Sequence, residues 1–176
     1  MQDTPTTIQA GLWSRDAIGR ALYGISLALA LAGGLILLAL IGLSAWSVAG
    51  RWLADAPLQG DFELVQLGCA ACVSAFLPLC QMEKGHVIVD FFTLKAGPGT
   101  RAVLDAVGNV LLGGVSAVVA WRLALGMASV REAGETSMIL DLPIWMAYAP
   151  MILSFAVLAL AGLYTAWAEL AYRRSA

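Results

Sequence analysis

Charge is scarce in this chain. Of 176 residues, 10 are Lys or Arg and 12 are Asp or Glu, so 12% are charged, against about a quarter in soluble globular domains. With 60% of residues in the AVILMFWYC set and 18 glycines besides, too little polar surface is left to wrap a water-soluble core. A net charge of −2 excludes a nucleic-acid-binding face, which needs a basic patch. Histidine is rarer still, and with His86 alone a haem held by two histidines is excluded by count. Cysteine numbers three, Cys69, Cys72 and Cys80. On one continuing helix Cys69 and His86 stand about 26 Å apart, too far to share a zinc ion about 2 Å from each ligand. The class that remains is an all-α integral membrane protein.

What is present is uncharged length. No charge falls between Arg20 and Arg51, a run that exceeds a hydrocarbon core of roughly 30 Å at about 1.5 Å per residue. It is also longer than the apolar region of a cleaved secretory signal, about 7–15 residues. Further uncharged runs span Leu64 to Met82, Ala106 to Trp121 and Leu142 to Ala168. The third is short unless Arg122 lies at the helix end. Four transmembrane helices are expected over about 20–50, 62–83, 103–124 and 142–169, in one membrane domain spanning 1–176. Pro143 suits the first turn of the fourth helix, and Pro150 should kink it.

Lys and Arg in the flanks set orientation, because basic loops resist translocation. Arg15, Arg20, Lys84, Lys95, Arg101, Arg173 and Arg174 fall on one side; Arg51, Arg122 and Arg131 fall on the other. Both termini are therefore expected in the cytoplasm. Trp46, Trp52, Trp121 and Trp145 then lie at the outer boundary and Trp13 and Trp167 at the inner one, as interfacial indoles do.

Few groups carry chemistry. Cys69-Ala-Ala-Cys72 raises the alternative of a four-helix thiol–quinone oxidoreductase, but such an enzyme needs a second cysteine pair in the other outer loop, and Arg122 to Asp141 holds none. Inside an apolar run a thiol behaves as a small hydrophobe. Glu63 opens helix two and Arg122 closes helix three at the same level, so the two are either an interhelical pair or separate interfacial charges. His86, Asp90 and Thr93 share a narrow polar stripe on a short segment, about 85–95, that lies in the cytoplasmic interface or packs on another chain. His86 and Asp90 lack a nucleophile, so no catalytic site is expected there. Arg101 and Asp105 form a solvated helix start. No cofactor or metal site is expected.

An acidic entry Asp61-Phe62-Glu63-Leu64-Val65, the segment Lys84-Gly85-His86-Val87-Ile88-Val89-Asp90, and Gly134-Glu135-Thr136 followed by Leu142-Pro143-Ile144-Trp145-Met146-Ala147-Tyr148 resemble the small membrane subunit, DctQ-like, of tripartite ATP-independent periplasmic (TRAP) transporters. The likeness runs from about Arg20 to Trp167. It implies a subunit of the bacterial inner membrane that is not an enzyme. Its expected partners are the lipid bilayer, a large multi-helix permease and a periplasmic solute-binding protein that delivers organic acids, either carboxylates or sugar acids. Sodium coupling and the elevator motion are expected in the large subunit, with this chain a static scaffold. Glu63, Lys84, Gly85, His86, Asp90, Arg122, Glu135, Pro143 and Trp145 become candidates for the subunit interface or for structural roles. Gly33-Gly34, Ala70-Ala71, Gly108 and Gly113-Gly114 permit close backbone approach, either to the partner or within the chain.

Overall fold

The computed structural model describes residues 17–54, 59–83 and 98–173, with side chains over 17–53, 59–83 and 104–168. They form four helices: α1, Ala17–Ala54; α2, Asp61–Met82; α3, Pro98–Ala133; and α4, Trp145–Arg173. All four are long and apolar enough to cross a membrane. In hydrocarbon no water can satisfy a backbone N–H or C=O, so a lipid-embedded run closes those bonds within itself as a helix. The expected all-α, four-span architecture is the one observed. The interfacial segment expected at about 85–95, with Lys84, Gly85, His86 and Asp90, lies outside the described residues.

The helices alternate in direction. Ser47 of α1 meets Asp61 at the start of α2, and Gly33 meets Ala75 farther along it, so α1 and α2 are antiparallel. Gly126 of α3 faces Tyr148, and Gly113 faces Ala159 and Leu163, so α3 and α4 are antiparallel too. Packing runs from α1 to α2, from α2 to α4 and from α4 to α3. The first and third helices are the flanks of the assembly.

Helix α3 departs furthest from expectation. It begins at Pro98 and continues to Ala133 instead of spanning about 103–124, because a single arginine does not stop a helix whose backbone bonds are otherwise complete. What stops it is Gly134, at φ 65°, a left-handed conformation that costs glycine little. The Gly134 N–H donates to Arg131 O at 3.3 Å and the Glu135 N–H to Val130 O at 3.2 Å. These two bonds form a Schellman cap. Trp121 and Arg122 therefore lie inside the helix, twelve and eleven residues before its last residue.

Beyond the cap the chain forms a short hairpin. Thr136 bridges Pro143 in antiparallel fashion, the Ile144 N–H donates to Glu135 O at 3.2 Å, and the Ser137 N–H donates to Leu142 O at 2.8 Å. Pro143 thus belongs to the hairpin, two residues before α4 begins at Trp145, not to the first helical turn. Its missing N–H costs nothing at this position.

Candidate functional site

Glu63 lies in the first turn of α2 and turns its carboxylate to the hairpin tip. It accepts the Ser137 hydroxyl at 2.7 Å and the N–H groups of Met138 at 2.9 Å, Ile139 at 3.1 Å and Leu140 at 3.3 Å. Successive N–H groups aimed at one anion make a backbone nest, here filled by the chain's own carboxylate. Leu140 meanwhile covers Gly60, at φ 81°, where an added Cβ would come within 2.5 Å of the leucine Cγ. Glu63 is therefore committed to the loop. The interhelical pair with Arg122 weighed from the sequence is not among its bonds.

Two neighbouring contacts tie the same end together. Asp61 accepts the hydroxyl of Ser47, a buried residue on α1, and also the Phe62 N–H at 2.7 Å. The Arg131 guanidinium stands over the Trp145 ring, 5.5 Å from its centroid, a cation–π contact between the end of α3 and the start of α4. Glu135 contributes through its backbone, and its side chain is exposed.

At the other end three helices meet on one carboxamide. Gln81, 2% exposed, donates from Nε2 to Asn109 Oδ1 of α3 at 2.7 Å and to Thr165 Oγ1 of α4 at 3.0 Å. The Thr165 hydroxyl in turn donates to Gly162 O at 2.9 Å. Packing beside this hub is tight. An added Cβ at Gly162 would lie 3.0 Å from Asn109 O and from the N and Cα of Gly113.

The candidate small residues divide accordingly. Gly33 meets the side chain of Ala75 and Gly113 meets α4, whereas Gly34, Gly108 and Gly114 have nothing within 4 Å. Internal packing claims the first two; an added Cβ would meet nothing at the others, of which Gly114 is exposed and Gly34 and Gly108 are half-buried. Long apolar stretches of the flanking helices are open as well. Leu31, Leu35, Leu38 and Trp46 on α1, and Leu111, Val115, Val118 and Trp121 on α3, are all exposed.

Arg122 lies on that open side of α3. With Gly126 opposite Tyr148, antiparallel register puts Arg122 level with Ile152, seven residues into α4. That is about 10 Å along the bundle from the level of Trp145, at 1.5 Å per residue. No bond or ion pair involves it among the described residues.

The cysteines are free thiols. Cys72 is buried, and Cys69 and Cys80 are half-buried. Among the described residues no three His, Cys, Asp or Glu side chains converge as metal ligands would.

Gln81, Asn109, Thr165 and Ser47 escaped the sequence reading because each is a lone polar residue in an apolar run. The one available signal was that polar residues in a lipid-embedded helix seek partners on neighbouring helices.

Comparison with known families gives one finding. The family model of the DctQ component of tripartite ATP-independent periplasmic transporters matches residues 40–171. The match covers α2, α3, all but the last two residues of α4 and the last part of α1, together with the hairpin that Glu63 holds. No curated protein and no solved structure matches the chain. The family match covers most of the chain and falls on a four-helix membrane frame: the protein belongs to the DctQ family, the small permease component of TRAP transporters.

Proposed function

We propose that the chain is a non-catalytic scaffold. It binds and steadies the large permease subunit during sodium-driven uptake of organic acids, carboxylates or sugar acids, delivered by a periplasmic binding protein. In this reading the protein sits in the bacterial inner membrane with both termini in the cytoplasm, and sodium and solute are handled by the large subunit.

One observation carries the reading. Several polar side chains among the described residues fasten the chain to itself, through Glu63 on the hairpin, Asp61 on Ser47, and Gln81 on Asn109 and Thr165. The flanks α1 and α3 meanwhile leave long apolar faces uncovered. A rigid interior with open sides suits a brace that another membrane subunit leans on.

The test is reconstitution. Vesicles holding both permease subunits, with binding protein and a sodium gradient, are expected to accumulate solute. Vesicles holding this chain alone should not, and solute flux through the lone chain would overturn the scaffold role.

A further inference from the structure

We propose that Arg122 marks the docking face for the large permease subunit and receives a carboxylate from one of that subunit's helices. The inference rests on the subunit reading above and adds the surface and the chemistry of contact.

The argument begins with depth. Arg122 stands eleven residues before the end of α3 at Ala133 and, by register with α4, about 10 Å inside the level of Trp145. The sequence reading places Trp145 at the membrane boundary, and on that reading Arg122 starts within a hydrocarbon core roughly 30 Å thick. Intramembrane arginines are costly, and they commonly face a partner or a water-filled cavity.

Reaching back to the interface is the usual relief, and here direction opposes it. Side chains on a helix lean toward its N-terminus. The N-terminus of α3 is at the end opposite Trp145, so the Cα–Cβ bond of Arg122 sets off away from the Trp145 end and a return to that surface needs the side chain to double back.

Among the described residues no carboxylate is recorded against Arg122. Glu63 is held by the hairpin and Asp61 by Ser47. Glu132 and Glu135 lie beyond the level of Trp145, near the cap of α3.

The surroundings fit a helix seam. Leu111, Val115, Val118, Arg122 and Leu125 repeat at spacings of four and three along the exposed side of α3, the pattern of a helix-packing stripe. The opposite side, with Gly113, is already occupied by α4. Gly114, with nothing within 4 Å, lets an incoming backbone come near. One cation in an otherwise apolar stripe asks for one anion, and a carboxylate on a partner helix meets that need at the right depth.

The experiment uses the chain co-expressed with its large subunit and recovered from membranes in mild detergent. Arg122→Leu is expected to weaken capture of the large subunit by about thirtyfold or more, as truncating one partner of a buried charge pair does. Arg122→Lys should retain part of the yield, since it keeps the charge without the planar fork. Thermal unfolding of the isolated chain should be unchanged by Arg122→Leu, because nothing among the described residues holds that side chain. Benzoylphenylalanine at Val118 should give a photo-adduct with the mass of both subunits.

Undiminished recovery with Arg122→Leu, or adducts with lipid alone, would overturn the proposal. A wild-type chain that recovers no large subunit is a different result, which refutes the subunit reading first and this inference with it.

Discussion

Glu63 and Ile139 are seventy-six positions apart, yet the Ile139 N–H donates to both carboxylate oxygens, at 3.1 and 3.3 Å. With Ser137, Met138 and Leu140 on the same carboxylate, the start of α2 sets the shape of the loop between α3 and α4. Removing the acceptor should free that loop. In Glu63→Ala, amide hydrogen exchange at 138–140 is expected to speed up by about tenfold or more, since the protecting bonds are gone. Exchange in the middle of α3 should not change. Glu63→Gln should fall between, because an amide oxygen still accepts but its NH2 faces donors. Unaltered exchange at 138–140 in Glu63→Ala would show that the hairpin holds its own shape.

The same bonds decide a charge-swap test. Had Glu63 and Arg122 paired, exchanging them would restore what each single change loses. The structure commits Glu63 to backbone donors, which an arginine cannot replace because it accepts no hydrogen bond. Glu63→Arg combined with Arg122→Glu is therefore expected to be at least as defective as either single variant in folded yield. Recovery in the double variant would contradict the assigned bonds.

Gln81 joins three helices from a site that is 2% exposed. Gln81→Leu removes the bonds to Asn109 and Thr165. Interhelical hydrogen bonds in membranes are worth about 0.6 kcal/mol on average and up to roughly 1.7, so the loss should be about 1–2 kcal/mol. Reversible unfolding in mixed micelles measures it. Asn109→Leu should cost less, since it removes only one bond of the hub, and the double variant should be less than additive because the two changes share a partner.

These relationships also mark what was legible in the sequence and what was not. The four spans could be read because charge is absent over long stretches, and in lipid such stretches have to be helical. Helix α3 runs past Arg122, the charge that ends its uncharged run, because its stop signal is Gly134, twelve residues later. The Glu63 clamp was hidden for a different reason: three of its partners are backbone N–H groups, which carry no residue identity to search for. The Gln81 hub joins residues 28 and 84 positions apart, and no local pattern links them.

The two kinds of glycine make a paired prediction. Gly162→Ala places a Cβ 3.0 Å from the backbone of Asn109 and Gly113, and helix backbones cannot turn aside as a flexible side chain can. Forcing α3 and α4 apart should cost about 1–3 kcal/mol and lower the midpoint of thermal unfolding. Gly114→Ala meets open space and should leave the isolated chain as stable as before or slightly more so, by improved helix propensity. Equal effects at the two positions would contradict the packing described.

The cysteine pair gives the last test, between a brace and a redox device. Cys69 and Cys72 are free, and Cys72 is 1% exposed, against α1 where its carbonyl oxygen approaches Gly33. A thiol in such a place is shielded from thiolate formation and from exchange partners. A Cys69–Cys72 redox cycle has to make and break a bond at both sulfurs, and the burial of Cys72 resists that. Replacing both with alanine should therefore leave solute uptake by the assembled transporter within about twofold of wild type. The stability cost should be about 1 kcal/mol, the scale of a small buried truncation. Loss of uptake in the double alanine variant, with the complex still assembled and folded, would assign the thiols a part in the transport cycle that a packing role does not predict.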